Sequence, residues 1–429
     1  VKSSEIFEGL LKNLKIDNRS AIINRRTEIV KALNKEFRGV DKSTRNQLMV
    51  GSYGRGSAIR GISDLDMLFI LPASIRDAHK KADGPEKILT RTRTAIKARY
   101  PDTEVKVDRL VVVVQFQNFK FEVQPVFENE DESFSYPDTY SKSWKVTKPR
   151  AEIEAIRAKD ALSKGNLRNL CKMVRAWKNA HGVVMSGLLI DTLTHNFIRD
   201  NEEYHTATPV SYGLMARDFF KFLSEEEDHE HYAALGSGQQ VKVKKKFQRR
   251  AKRAYELCDA AIAAEGKTVA NKKWKAVFGK PVPSAAAAAA ARESVGFRDT
   301  EEFIEDRYPV DIRHTVLIDC TVSQDGFRPQ KLRTMLQHRW PLRPRKKLLF
   351  AIVECEVPEP YKVKWKVLNR GPEAERLDRV RGQIIDPNQS RARGEETNFR
   401  GDHYVECYVI KNGVVVARSR IQVPIEPEQ

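Results

Sequence analysis

Gly51-Ser52-Tyr53-Gly54-Arg55-Gly56-Ser57, followed after five residues by Ser63-Asp64-Leu65-Asp66 and the apolar run Met67-Leu68-Phe69-Ile70-Leu71, is the stretch on which the reading of this chain turns. Glycines at 51, 54 and 56 let the backbone turn tightly and approach an anion, whose oxygens can accept from backbone N–H groups and the Ser52 hydroxyl. Ser57 and Ser63 are counted with Gly51 and Ser52 among the anion-binding positions. Asp64 and Asp66 stand two apart at the start of a strand that ends at Pro72, so both carboxylates project from one face and can hold hard cations. A third carboxylate comes from Phe121-Glu122-Val123-Gln124-Pro125, where Glu122 lies inside an apolar strand in which an unpaired charge is costly. Three converging carboxylates predict two magnesium ions roughly 3.5–4 Å apart, with manganese able to substitute. The plain alternative, a hairpin with capping aspartates and a surface glutamate, explains each part but not the whole string.

Outward from this segment, Ile22, Ile29, Val30, Leu33 and Phe37 recur at helical spacing and lead into a strand near Gln47 to Val50. Pro85 to Tyr100 reads as a helix, and Val105 to Phe116 and Lys120 to Val126 as two more strands. From Arg150 to Phe278 the pattern turns helical, with Leu167, Leu170, Cys171, Val174 and Trp177 on one face, so a helical lobe is expected to close a cleft against the sheet. Pro281-Val282-Pro283-Ser284 and the alanines 285–291 read as a connector. Beyond Tyr308 come strand-like runs at His314 to Val322, Leu348 to Val357, Tyr361 to Leu368, Tyr404 to Ile410 and Val414 to Val423, with Asn412-Gly413 as a hairpin turn, which together predict a small β-sandwich. The expected boundaries are a catalytic core over 1–150, a helical lobe over 151–280, a linker over 281–305 and a β-rich domain over 306–429.

The 429 residues exceed what one core usually supports. A net charge of +18 and a pI of about 9.6 call for an anionic partner: a nucleic acid, a membrane surface or nucleotide polyphosphates. No apolar run approaches the roughly 18 residues of a bilayer span, and Val1-Lys2-Ser3-Ser4 opens no signal core, so a cytoplasmic protein without membrane contact is expected. The five cysteines lie far apart, which argues for buried thiols rather than a zinc site or disulfides. His229 and His231 sit among Glu225, Glu226, Glu227, Asp228 and Glu230, a solvated acidic run. The basic run Lys242 to Arg250 reads as a solvated helix start or a footprint for duplex nucleic acid. The run Arg339 to Lys347 and Arg391-Ala392-Arg393 could bind a nucleic acid or nucleotide, with Trp340 or Trp365 as a stacking face, or could simply decorate the sandwich.

The spacing Gly-Ser, Gly-Ser, Ser-Asp-x-Asp resembles that of the polymerase beta-like nucleotidyltransferases, and most closely the bacterial cGAS/DncV-like members related to cyclic GMP-AMP synthase and oligoadenylate synthase. The likeness extends through Trp144-Lys145-Val146-Thr147-Lys148-Pro149-Arg150, similar to the family's crossing between lobes. It continues in Leu170 to Lys178 and Ser186 to Leu193, which in the family contact the nucleotide from the helical lobe. The resemblance implies that Lys172 or Arg175 grips the incoming triphosphate, with Ser186 as a further contact or a helix cap. It departs from the pattern at the third carboxylate, often Asp and here Glu122; Asp108 is a weaker substitute beside Lys106 and Arg109, which favour a surface ion pair. The C-terminal region is similar to the sensor domain found after such synthases.

The same resemblance implies an α/β fold with a polymerase beta-like sheet, a helical lobe and a C-terminal β-sandwich. The implied activity is magnesium-dependent synthesis of a cyclic di- or trinucleotide from ATP and GTP, in bacterial anti-phage signalling, with a regulatory protein or nucleic acid as further partner. A linear oligonucleotide or RNA terminal transferase, and a non-enzymatic sensor with a vestigial cleft, are the alternatives.

Overall fold

The computed structural model describes residues 2–267, 269–284, 302–323, 328–369, 382–388, 390–396 and 401–425. The chain divides into two units, one of residues 1–177 and 185–289, the other of residues 178–184 and 290–429.

The first unit opens with helices α1 (Ser3–Asn13) and α2 (Arg19–Arg38), then β1 (Gln47–Met49), the one-turn helix α3 (Gly51–Gly54), β2 (Asp64–Ile70), α4 (Gly84–Arg99), β3 (Glu104–Asp108), β4 (Val111–Gln115), β5 (Lys120–Glu128), β6 (Phe134–Asp138) and β7 (Ser143–Thr147). These seven strands form one sheet of order β1-β2-β5-β4-β3, with β6 joining β5 and β7 joining β6. Strands β2 and β5 run parallel. Alternation in both decides which face is core. Leu65, Met67 and Phe69 of β2 and Phe121 and Val123 of β5 pack with Ile22, Ile29 and Leu33 of α2 and Ile88, Leu89 and Ile96 of α4. The residues between them are turned to the opposite face.

The valine-rich stretch expected as one strand over Val105 to Phe116 is the β3–β4 hairpin. Its turn places Arg109 at φ 42°, and the Arg109 guanidinium donates to both oxygens of Asp138 at 3.0 and 2.9 Å. No glycine, proline or asparagine marks this turn; a long-range ion pair holds it instead. Lys106 pairs with Glu104 at 3.2 Å, so neither basic neighbour of Asp108 pairs with it. Asp108 is exposed on an edge strand separated from β2 by β5 and β4.

The helical part consists of α5 (Pro149–Leu162), α6 (Asn166–His181), α7 (Gly187–Asp200), α8 (Tyr212–Glu225), the hairpin β8 (His231–Ala233) and β9 (Gln240–Lys242), α9 (Gln248–Ile262) and α10 (Ala270–Phe278). Leu167, Leu170, Cys171, Val174 and Trp177 are all buried, the face that their spacing predicts. Phe7 of α1 packs edge-on against Trp274 at 4.8 Å, tying the N-terminus to α10. The acidic run before β8 faces the basic run after β9: His231 is opposite Lys242, and Lys246 pairs with Asp228.

In the second unit β10 (Val316–Ser323), β11 (Gln330–Lys331), β12 (Lys347–Cys355) and β15 (Arg393–Glu396) form one four-stranded sheet. The other contains β13 (Lys362–Leu368), β14 (Ile384–Ile385), β16 (Gly401–Lys411) and β17 (Val414–Ile425). Ile318, Cys320, Phe350, Trp365, Cys407 and Val423 share the core between them. Asn412 and Gly413 have φ of 51° and 75°, the backbone a two-residue hairpin turn needs. Trp365 is fully buried and its Nε1–H donates to the Arg391 carbonyl at 3.1 Å, so it is a core residue and offers no stacking face. The end of α6 belongs to this unit, where Lys178 pairs with Asp311 at 3.1 Å. Four of the five cysteines are buried and Cys355 is half-buried; all are free thiols. Of the expected linker, residues 285–301 lie outside the described residues. No helix among the described residues is long and apolar enough to cross a membrane.

Candidate active site

On the face of β2 and β5 turned away from α2 and α4, register places Asp64 opposite Lys120 and Asp66 opposite Glu122. Residues directly opposite on adjacent strands share a face, so three acidic side chains and one basic one form a half-buried quartet. Lys120 is the member that sequence reasoning missed. Its ammonium lies 3.6 Å from Asp64 Oδ1 and pairs with Glu122 Oε1. Clustered carboxylates repel unless a cation lies among them, and Lys120 supplies one. A K-x-E spacing at the head of a strand was the available signal, since it puts the two side chains on one face.

The glycine turn stands against Asp66 of this quartet. The Val50 N–H donates to the Asp66 carbonyl at 2.9 Å, and a side chain added at Gly51, whose φ is 62°, would collide with Asp66 Oδ2. Gly51 is therefore required twice, for its left-handed backbone and for the closeness of the carboxylate. The stretch is a helical turn and then bends, in which the Ser52 carbonyl accepts from the Ser57 and Ala58 N–H groups at 3.0 and 3.1 Å. The Ser63 carbonyl accepts from the Lys120 N–H at 2.8 Å, while the buried Ser63 hydroxyl has no hydrogen-bond partner among the described residues.

Behind the turn lies a second charged cluster, fully buried and organised by Asp191 of α7. Its Oδ2 accepts from Arg55 Nε at 2.8 Å and Ser57 Oγ at 2.9 Å, and its Oδ1 from Arg175 Nη1 at 2.6 Å. Arg55 also pairs with Glu152 of α5 at 3.1 Å, and its carbonyl accepts from Arg168 Nε at 2.9 Å. Desolvation pushes the Asp191 carboxyl up, but Arg175 and Arg55 outweigh it and hold it at about 2. Burial pushes Glu152 up, with Arg55 opposing. The cluster clamps the glycine turn onto α5, α6 and α7.

This clamp separates the two cations proposed for the triphosphate. Arg175 is buried, and besides Asp191 its guanidinium donates to the Gly187 carbonyl at 2.9 Å. Lys172, one turn earlier on α6, is half-buried and makes no hydrogen bond or salt bridge among the described residues. Ser57 is likewise buried on Asp191, and Ser186 caps α7, its Oγ accepting from the Leu189 N–H at 3.2 Å. Asp64, Asp66 and Glu122 thus share one face, Asp66 lies against Gly51 with Ser52 next in the turn, and Ser57, Arg175 and Ser186 make contacts within the fold.

The donor chemistry of the three acids fits a hard dication: carboxylate oxygens gathered on one sheet face. As the side chains stand, no three His, Cys, Asp or Glu among the described residues are disposed to hold a metal ion. In this arrangement Lys120 engages Asp64 and Glu122 together.

A family model described as the Second Messenger Oligonucleotide or Dinucleotide Synthetase domain matches residues 1–160, and one described as the Adenylyl/Guanylyl and SMODS C-terminal sensor domain matches residues 298–426. The chain belongs to the cGAS/DncV-like nucleotidyltransferases with a C-terminal sensor domain. Among solved structures of this family's fold, E. coli MS115-1 CdnC in its complex with HORMA-deltaN is 15% identical with a TM-score of 0.52, over 66% of this chain and 99% of that one. Vibrio cholerae DncV cyclic AMP-GMP synthase, a prokaryotic cGAS homolog, is 13% identical with a TM-score of 0.52, over 66% of this chain and 97% of that one. At these identities the likeness is one of fold: the polymerase beta-like sheet with its helical lobe, to which this cGAS/DncV-like chain adds a β-sandwich. No curated protein matches the chain.

Proposed function

We propose that the protein joins nucleoside triphosphates, ATP and GTP among them, into a cyclic di- or trinucleotide that serves as a second messenger in bacterial anti-phage defence, acting in the cytoplasm. The observation that carries this reading is that Asp64, Asp66 and Glu122 share one sheet face, with Asp66 lying against the Gly51 turn. In each step a ribose hydroxyl of one nucleotide attacks the α-phosphorus of another. A phosphorus–oxygen ester bond forms, the bond to the β-phosphate's bridging oxygen breaks, and pyrophosphate leaves. Glu122 accepts the hydroxyl proton in this scheme, and the backbone N–H groups of the turn with Ser52 orient the donor triphosphate. Lys172 sets a positive charge against the departing pyrophosphate, while Arg175 positions α6 through Asp191. Magnesium held by Asp64, Asp66 and Glu122, or manganese in its place, would neutralise the triphosphate and acidify the attacking hydroxyl. The E. coli CdnC forms a complex with HORMA-deltaN, and a regulatory protein belongs to this reading on that likeness.

Incubation with the four triphosphates and magnesium, then phosphatase treatment and mass spectrometry, tests the reading. The expected product is a small phosphatase-resistant ring, absent with Asp66→Asn at unchanged melting temperature. Products that phosphatase trims at their ends would instead mark a linear polymeriser. Full product from the Asp66→Asn protein would remove the proposed site.

A further inference from the structure

The sensor-matching unit carries a charged surface that nucleotidyl transfer does not use. From Arg328 to Leu349 the chain has eight lysines and arginines and no aspartate or glutamate. The middle of this stretch, from the end of the short helix Leu332–Gln337 into β12, is ordered by the core beneath it. Leu332 and Met335 are buried, Leu342 is buried and bridges to Ile425, and the Trp340 N–H donates to the Met335 carbonyl at 2.8 Å. Pro341 and Pro344 restrict the backbone further. Residues 336–341 are nevertheless exposed throughout.

At the crest Trp340 is 48% exposed and lies nearly flat on His338, ring centroids 5.0 Å apart and planes inclined by 22°. An exposed indole, here with Leu336 also exposed four residues before it, is a cost unless something covers it. Arg339, Arg343, Arg345 and Lys347 are exposed around it, while Leu342 and Leu348 between them are buried. Arg339, Arg345 and Lys347 make no ion pair among the described residues. The facing acidic positions are Glu396, opposite Lys347, and Glu395, opposite Leu348 and bonded to Arg393 at 2.8 Å.

We propose that this face of the sensor unit binds single-stranded nucleic acid, with a base stacked on Trp340 and the backbone phosphates on Arg339, Arg343, Arg345 and Lys347. Cations spread along a loop suit a chain of phosphates rather than one, and guanidinium forks match phosphate oxygens better than ammonium groups do. The flat indole makes the strand single, because a base can join the His338–Trp340 stack only when it is not held inside a duplex. The same features seen from a bilayer would need apolar side chains standing off the surface, and here the largest of them lies against an imidazole. This inference is independent of the reading of the β2–β5 face.

Fluorescence anisotropy of the full chain with labelled oligo(U) and oligo(dT) about 16 nucleotides long tests it, beside a duplex of equal length and phosphatidylserine vesicles. The single strands should bind more tightly than the duplex. Trp340→Ala should weaken them about ten-fold and Trp340→Phe far less. Arg345→Glu with Lys347→Glu should weaken binding and flatten its salt dependence, which Trp340→Ala should not. Preference for RNA or for DNA identifies the source of the strand. Equal binding of duplex and single strand with Trp340→Ala at full affinity would overturn the proposal, as would single-strand affinity unmoved by either variant or binding confined to vesicles. All variants lie on the exposed surface, and unchanged melting temperatures confirm that binding alone is being read.

Discussion

Two sets of carboxylates flank the glycine turn, and they are compensated in opposite ways. Asp191 is fully buried and receives two arginines and a serine hydroxyl on its two oxygens. Asp64, Asp66 and Glu122 are half-buried, and Asp64 and Glu122 share a single lysine. A buried carboxylate with cations on both oxygens is committed to holding the fold, since removing any partner strands a charge away from water. Three acids gathered on one half-buried face beside the Lys120 ammonium attract further positive charge. In the proposed reading the first set holds the frame and the second carries the chemistry, and Asp191 and Asp66 each adjoin the same seven-residue loop.

The sharpest way to break this division is Asp191→Asn, which leaves Arg55 and Arg175 buried against a neutral side chain. The expected loss is on the order of 3–5 kcal/mol in urea or thermal unfolding; a loss below about 1 kcal/mol would mean that the cluster does not hold the frame. Acid titration sharpens the same point. The Asp191 carboxyl is held at about 2 against an ordinary 3.8, so its stabilisation is complete above the ordinary carboxyl range and disappears as pH falls towards 2. That acid-labile component should be missing from the Asp191→Asn protein.

Gly51→Ala comes next, because it strikes the frame and the chemistry together. A left-handed non-glycine residue costs roughly 1–2 kcal/mol, and its methyl group would drive Asp66 from its place. Product formation should fall well beyond what the modest change in melting temperature explains; unimpaired synthesis would show that Asp66 need not lie under the turn.

The smallest expected effect concerns Lys172. Burial pushes its ammonium below the usual lysine range, Asp160 opposes that shift, and Arg168 and Lys15 add to it. Deprotonation therefore begins at a less alkaline pH than for an ordinary lysine, and triphosphate affinity should fall early on the alkaline side. Lys172→Arg keeps its charge and should flatten that fall. Identical alkaline profiles for the two proteins would remove Lys172 from the triphosphate site.

What could be read from the sequence was whatever depends on near neighbours. The alternation in β2 and β5 separates core face from acidic face, the face of α6 comes from a spacing of three and four, and Asn412-Gly413 marks its own hairpin. What could not be read depends on partners distant along the chain. Arg109 turns a hairpin because Asp138 waits for it, and Trp365 is core because two sheets close over it. Ser57 and Arg175 fit a nucleotide-contacting pattern in sequence, yet Asp191, far from Ser57 along the chain, claims them both. Lys120 was legible in principle, two residues from Glu122 on the same face, but only the parallel register with Asp64 gives it a second carboxylate.

Anomalous scattering from manganese, in crystals soaked with a non-hydrolysable triphosphate, tests the assignment of chemistry to the β2–β5 face most directly. Metal bonded to Asp64 and Asp66 with Glu122 drawn in and the Lys120 ammonium withdrawn is the predicted result. A bound triphosphate whose manganese lies away from this face, with Lys120 still joining Asp64 to Glu122, would contradict it.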